Sequence, residues 1–338
     1  MRVAAIDCGT NSIRLLVADA SPVGGSADAG PAGAGPDGAG PAAGRLREVD
    51  RRMRIVRLGE GVDATGRLSE AALARTYRAC EEYAAVLAQL RPDALRFVAT
   101  SATRDAANAD AFTDGVRDRL GVEPVVVSGA EEARLSFDGA LAGLAAQHPA
   151  APVLVVDIGG GSTEFVLGSP PRAPGGGVDV PPVGVSVDIG CVRLTERVLS
   201  GDPPDAAQLA AATALVDAAI EEADRTVPLA DARTLVGLAG SVTSVGAAVL
   251  GLDAYDRSRI HHARLPADRV HEVTGSLLRA TREERARLPW LHPGRVDVIG
   301  AGALVLDRVL ARVGPTLAAP EVVVSEEDIL DGIALSLL

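Results

Sequence analysis

Apolar and polar positions along the chain fall into one pattern that occurs twice. Residues 3–17 read VAAIDCGTNSIRLLV and residues 153–167 read VLVVDIGGGSTEFVL. Each is an apolar, β-favouring run, an Asp-x-Gly turn with small polar residues, and a second apolar run, which predicts a strand, a tight turn and a returning strand. Asp7, Gly9 and Ser12 fall on Asp157, Gly159 and Ser162 at one constant offset, so the chain carries an internal duplication.

Between and after these hairpins the pattern predicts alternating strands and helices. Arg45 to Leu58 reads as a strand whose basic centre, Arg51, Arg52 and Arg54, is either a solvated edge or faces a cleft. Ser69 is placed to cap a helix running to about Leu90, with Leu73, Tyr77, Cys80, Ala84 and Leu87 on its apolar face. A strand over Leu95 to Ala99 leads into a helix that reads on through Asn108, and a strand over Val125 to Val127 leads into a helix reaching about Ala146. The second half repeats the alternation. Strands are expected over 183–189, 235–238 and 322–325, and helices from Gly190, over 205–226, over 295–309 and over 326–338, the last capped by Ser325.

Length and composition narrow the picture. At 338 residues the chain exceeds one ordinary core, and the duplication divides it into two similar units. The expected division sets residues 1–128, completed by the terminal helix over 326–338, against residues 129–325. Residues 21–44 are almost wholly Ala, Gly, Pro, Ser and Asp, too poor in apolar side chains to offset the entropy of ordering, and are expected to form a flexible insert. Residues 169–182 read as a second Gly/Pro-rich loop. Aromatic residues make up only 2%, so the cores are built from Ala, Val and Leu, and aromatic platforms for nucleic-acid bases are not indicated. A net charge of -12 argues against generic nucleic-acid or anionic-membrane binding, so a polyanionic ligand has to be attracted locally. Cys8, Cys80 and Cys191 are widely spaced and indicate neither a zinc site nor a disulfide framework. No charged leader precedes the first strand and no apolar run approaches roughly 18 residues, so a cytoplasmic protein with no membrane partner is expected.

The turns carry the candidate chemistry. Glycine lets a ligand approach the backbone. Gly9, Thr10, Asn11 and Ser12 in the first turn, and Gly159, Gly160, Gly161, Ser162 and Thr163 in the second, offer N–H and hydroxyl donors to phosphate oxygens. Asp7 and Asp157 at the strand ends would repel a bare phosphate, which implies a bridging cation or a positioned water. Three further strand-to-helix junctions stand where α/β sheets bind anions. One carries Thr103 and Arg104. Another carries Arg193, an arginine in a helix's first turn that runs against the dipole and so points to an anion. The third is Gly240-Ser241, whose spacing is not that of a dinucleotide-binding fingerprint. Glu131 and Glu132 also open a helix, where acids are expected for dipole reasons alone. His261-His262 has no partner at metal-ligand spacing.

The segments DCGTNSIRLLV, ATSATRDA, SGAEEAR, DIGGGSTE, GCVRLTER, GLAGSVTSV, LHPGRVDVIGAGA and VSEEDILDGIALSL, in this order, closely resemble the exopolyphosphatase/guanosine pentaphosphatase (Ppx/GppA) family, in its short, two-domain actinobacterial form. The resemblance implies an α/β fold of the actin, Hsp70 and sugar-kinase (ribonuclease H-like) type, two domains related by duplication with the active site in the cleft between them. It implies that Glu132 is the base that activates water, that Asp157 and Glu164 bear on Mg²⁺ and the attacking water, and that both glycine turns hold phosphates. Asp7 is the matching metal candidate of the first turn. Arg14, Arg104 and Arg193 are candidates for neutralising the transferred phosphoryl group. The implied ligands are polyphosphate or guanosine pentaphosphate, and a homodimer is common in the family. An ATP-dependent kinase of the same superfold and a non-catalytic phosphate or nucleotide sensor are the competing readings. SGAEEAR weighs against both, because no acceptor pocket accompanies it and a sensor needs no base.

Overall fold

The computed structural model describes residues 1–20, 46–144, 147–170 and 180–338. The insert expected at 21–44 and residues 171–179 of the second loop lie outside the described residues. Strands β1 (Arg2–Cys8), β2 (Ser12–Ala20), β3 (Leu46–Ile55), β4 (Ala94–Ala99) and β5 (Val125–Val126) form one sheet in the order β3-β2-β1-β4-β5. Strands β6 (Val153–Ile158), β7 (Thr163–Gly168), β8 (Val183–Val187), β9 (Thr234–Leu238), β10 (Arg264–Pro266) and β11 (Glu321–Val324) form the other, in the order β10-β11-β9-β6-β7-β8. In each sheet a hairpin extends antiparallel on one side and pairs parallel on the other, β4 beside β1 and β9 beside β6. The duplicated sequence is thus a duplicated topology, to which the second sheet adds β10.

Both hairpin strands are buried on two faces, as strands covered on both sides are. Ala4, Ile6 and Cys8 of β1 face one core, while Val3 and Ala5 face another that includes Leu135, Ile329, Leu330 and Ile333. The second sheet repeats this parity: Leu154, Val156 and Ile158 face outward to the large core, and Val153 and Val155 face Ala133, Phe137, Ala140 and Leu141. Two helices fill the layer between these inner faces, Gly129–Leu144 and Ile329–Leu335. Their backbones nearly touch. A Cβ on Gly332 would lie 1.9 Å from the Leu135 carbonyl oxygen, so only glycine permits this approach. The division expected at residue 128 therefore falls at the start of a helix that packs on both sheets, and the terminal helix packs on β1, β2 and β4.

Several local expectations are corrected. The helix Glu70–Leu90 is capped by the Ser69 side chain as expected, and Leu73 and Cys80 are buried, but the stripe is rotated toward Tyr83 and Val86, leaving Tyr77 and Leu87 partly buried against the core and Ala84 half-buried. Tyr83 fixes that rotation by donating its hydroxyl to the Ile13 carbonyl at 2.9 Å. The helix after β4 does not run through Asn108. It ends at Arg104, and a separate helix spans Ala109–Leu120. The break is tied down by Asn108, whose side chain bonds both the N–H and the carbonyl of Leu68. The terminal helix starts at Ile329 with Asp328 as its cap; the Ser325 hydroxyl is already engaged by Glu327. The helix expected over 295–309 spans Ile299–Val313, after a short 3-10 turn at Pro293–Arg295. Arg52 and Arg54 of β3 pair with Asp50 and Glu82, and Arg51 reaches Glu48 and Asp331, so among the described residues this strand is an ion-paired sheet edge, and none of the three arginines lines the cavity between the two hairpins. Among the described residues, no helix is long and apolar enough to cross a membrane.

Candidate active site

The hairpin turns are built alike. Gly9 donates its N–H to the Ser12 carbonyl at 3.0 Å, and Gly159 donates to the Ser162 carbonyl at the same distance. Strand parity then sets the chemistry. Asp7 lies on the inner face with Val3 and Ala5, and Asp157 lies there with Val153 and Val155, so both carboxylates point into the layer that holds the two central helices. Their cross-strand neighbours differ: Asp7 pairs with Arg14, and Asp157 pairs with Glu164.

The cavity between the sheets is lined by Asp7, Gly9, Thr10, Asn11, Ser12 and Arg14 from the first hairpin and by Asp157, Gly159, Gly160, Ser162 and Glu164 from the second. Glu132 enters from the first turn of the central helix, and Gly240 and Ser241 close the wall. The remaining sequence candidates lie elsewhere. Arg193 is drawn off the wall by Asp63 at 2.8 Å, Asp105 at 2.5 Å and the Gly161 carbonyl at 2.7 Å, so the anion it seemed to await is a pair of carboxylates of this chain. Thr163 spends its hydroxyl on the Ile189 carbonyl, Thr103 is buried behind the wall, and Gly161 faces Thr10 and Ser101. Arg104 is also off the wall, yet it bonds Glu132 at 3.0 Å and so acts on the site from behind.

The charges are unevenly matched. Arg14 bonds Asp7 at 3.0 and 2.6 Å and also pairs with Asp328, the cap of the terminal helix. Asp157 and Glu164 have hydroxyl partners instead, Ser136 and Ser186, each at 2.7 Å. Ser136 lies one turn beyond Glu132 on the same helix, so that helix presents the one carboxylate and orients the other. Burial raises the Glu132 carboxyl to about 7, against the pull of Arg104 and with a push from Asp7 and Asp157. Burial and the neighbouring Asp328 raise Asp157 to about 7, and burial with Glu132 and Asp157 nearby raises Glu164 further above its ordinary value. Asp328 moves the other way: Arg14 and Arg51 overcome its burial and hold it below the usual range.

Among the described residues, Asp157 and Glu164 are buried acids with no cation within ion-pair distance and Asp7 Oδ1 is buried with no hydrogen-bond partner, which fits a divalent cation. Among the described residues, no group of three or more His, Cys, Asp or Glu side chains is arranged to hold one alone. That suits Mg²⁺, which takes one or two carboxylates and completes its shell with water and substrate phosphate oxygens.

Sequence reasoning missed Arg295, Asp328 and Ser136. Arg295 lines the cavity, and among the described residues no carboxylate lies within ion-pair distance of its guanidinium. It lies against Gly240, where an added Cβ would come 1.6 Å from Nη1; that glycine is required by an arginine rather than by a ligand. Ala239 beside it is held at φ 66, a left-handed conformation that costs an alanine about 1 kcal/mol and that collects at functional turns. The sequence signal for Arg295 was its place in LHPGRVDVIGAGA, which periodicity assigns to a helix.

Two α/β lobes that each offer a glycine turn and an acid to a common cleft define a bilobal phosphate-handling architecture. The match to the Ppx/GppA phosphatase family covers residues 39–337, and the chain belongs to that family. It is 47% identical over 341 residues to exopolyphosphatase 2 of Mycobacterium tuberculosis, covering 99% of this chain and 98% of that one. It is 28% identical over 303 residues to the guanosine-5'-triphosphate,3'-diphosphate pyrophosphatase of Aeromonas salmonicida, covering 90% of this chain and 53% of that one. The crystal structure of an exopolyphosphatase-like protein superposes with a TM-score of 0.88 at 43% identity, covering 99% of this chain and 97% of that one.

Proposed function

We propose that the chain hydrolyses the terminal phosphoanhydride of a linear phosphate chain, releasing orthophosphate from inorganic polyphosphate or from the triphosphate end of guanosine pentaphosphate, with Mg²⁺ as the metal. Glu132 carries the reading: a carboxylate at the mouth of a helix, raised to about 7, beside two acids that lack a cation. A base whose pKa lies near the working pH is what general-base activation of water calls for.

In the reaction, a water oxygen attacks the terminal phosphorus in line, its proton passes to Glu132, and the bond from phosphorus to the bridging oxygen breaks. The shortened chain leaves with that bond's electron pair. Asp157 and Glu164 would hold Mg²⁺, which when bound would supply charge neutralisation on the phosphate oxygens. The N–H groups and hydroxyls of Thr10 to Ser12 and of Gly160 and Ser162 hold the chain of phosphates, around turns that the Gly9 and Gly159 N–H groups close internally. Arg295 supplies the cation that Arg14, Arg104 and Arg193 are too committed to give. The whole-chain likeness to a polyphosphatase favours polyphosphate as the first substrate to try.

The test is orthophosphate release with Mg²⁺ from polyphosphate and from guanosine pentaphosphate, wild type beside Glu132→Gln. The expected loss in the variant is about 10³-fold. Undiminished turnover would remove Glu132 from its role, and no release from either substrate by the wild type would leave a phosphate sensor as the better reading.

A further inference from the structure

Arg295 sits in a tight turn, its N–H donating to the His292 carbonyl and its own carbonyl accepting from Val298, and that turn is pinned to the opposite lobe. Asp297, two residues on, accepts from Arg57 Nη2 at 2.7 Å. Gly294, one residue before Arg295, packs so closely on the last residue of β3 that an added Cβ would lie 2.6 Å from Ile55 Cγ1. Arg57 is itself unusual, a non-glycine residue at φ 50, a conformation that persists only where its surroundings enforce it. What enforces it is the phosphate turn. The N–H groups of Val56 and Arg57 both donate to the Asn11 carbonyl, at 3.0 and 2.9 Å, and Gly59 donates to the Thr10 carbonyl at 2.9 Å. A continuous path of short contacts therefore runs from Thr10 and Asn11 through Arg57 and Asp297 to Arg295, crossing from the first lobe to the second.

We propose that Arg57 and Asp297 are positioning residues whose ion pair couples the Thr10–Asn11 turn to Arg295, so that the cleft's unpaired guanidinium is presented to substrate phosphate when the lobes are closed on each other. The proposal rests on the reading of Arg295 as a phosphate ligand. Arg282 of its own lobe lies within ion-pair distance of Asp297 Oδ1, at 3.1 Å, but that oxygen accepts no hydrogen bond among the described residues, so the hydrogen bond from Arg57 is the one that orients the carboxylate. Neither residue reaches the cavity wall, so their effect on turnover passes through Arg295.

The experiment is a double-mutant cycle on orthophosphate release from tripolyphosphate with Mg²⁺, using Asp297→Asn, Arg57→Met and Arg295→Ala singly and in pairs. Arg295→Ala is expected to raise KM by about 10²-fold, and Asp297→Asn or Arg57→Met by about tenfold with kcat changed less than about threefold. On the Arg295→Ala background the pair should have nothing left to position, so either second substitution should add less than about twofold. Reversing the charges with Arg57→Asp and Asp297→Arg together should recover part of the KM lost by either alone. Full additivity of Asp297→Asn with Arg295→Ala, or an unchanged KM in both Arg57→Met and Asp297→Asn, overturns the coupling while leaving Arg295 as a ligand. An unchanged KM in Arg295→Ala alone overturns the reading of Arg295 on which the coupling rests. Thermal melts of each variant separate a positioning loss from a folding loss.

Discussion

The two hairpins share a fold, a turn hydrogen bond and a strand register, and they differ in the charge of the residue opposite the turn aspartate. At Asp7 the neighbour is Arg14; at Asp157 it is Glu164. The first hairpin is neutralised from within, and Arg14 even serves a second carboxylate, Asp328. The second gathers two acids whose partners are hydroxyls. A duplicated scaffold thereby yields an asymmetric site, one side ion-paired through Arg14 and the other without a cation within ion-pair distance among the described residues. The second side is the one that gains from a cation.

If this contrast is correct, substitutions at equivalent positions have unlike consequences. Asp157→Asn is expected to lower kcat/KM by about 10³-fold while leaving the melting temperature little changed, because it removes a metal ligand that was not charge-paired. Steady-state rates at several Mg²⁺ concentrations, with melts alongside, check both halves of that statement. Arg14→Met is expected to fail chiefly in stability. It strands Asp7 and Asp328, 3% and 4% exposed, and should cost about 3 kcal/mol by denaturant unfolding. A variant that unfolds normally but is inactive would move Arg14 into the phosphate-holding set.

The smallest effect expected is a pH-dependent one. Glu132 and Asp157 are raised to about 7 in the folded protein, well above their unfolded values, so their protons favour the fold below about pH 4 and that contribution is lost as the pH rises through about 7. Metal-free protein should therefore melt roughly 2–4 °C lower at pH 8 than at pH 5.5, and Mg²⁺ should narrow the gap by stabilising the ionised acids at the higher pH. A metal-free melting temperature that climbs with pH would show that the second hairpin is neutralised by something other than protons.

Much of this architecture was legible in the sequence because the decisive strands are buried on both faces. Continuous apolar runs ending in Asp-x-Gly are hard to mistake, and their repetition at a fixed offset gave the two-lobed plan. Asp7 and Asp157 were legible for the same reason, since each ends its strand beside the turn, while the roles expected of Glu132 and Glu164 came from the resemblance to the Ppx/GppA family. What escaped were contacts that only folding creates. Nothing local marks Asp328 as the second partner of Arg14, Ser136 as the hydroxyl that orients Asp157, or Asp63 and Asp105 as the anions that take up Arg193. The rotated stripe of the helix Glu70–Leu90 has the same origin: one tyrosine hydroxyl bonded to a strand carbonyl outweighed the best-fitting leucine and alanine pattern. Arg295 was hidden because periodicity assigns it to a helix, whereas it ends the 3-10 turn Pro293–Arg295 ahead of Ile299–Val313, and only the fold shows that no carboxylate among the described residues pairs with it.

The near-contact of the Gly129–Leu144 and Ile329–Leu335 backbones bears on the order in which the molecule is made. A ribosome delivers the first hairpin some three hundred residues before the Asp328 cap. Until then Arg14 has one of its two carboxylates, and the inner face of β1 lacks Ile329, Leu330 and Ile333. A growing chain can thus carry both phosphate turns and the Glu132 helix without the final electrostatic balance of the cleft, which arrives only as the last helix docks.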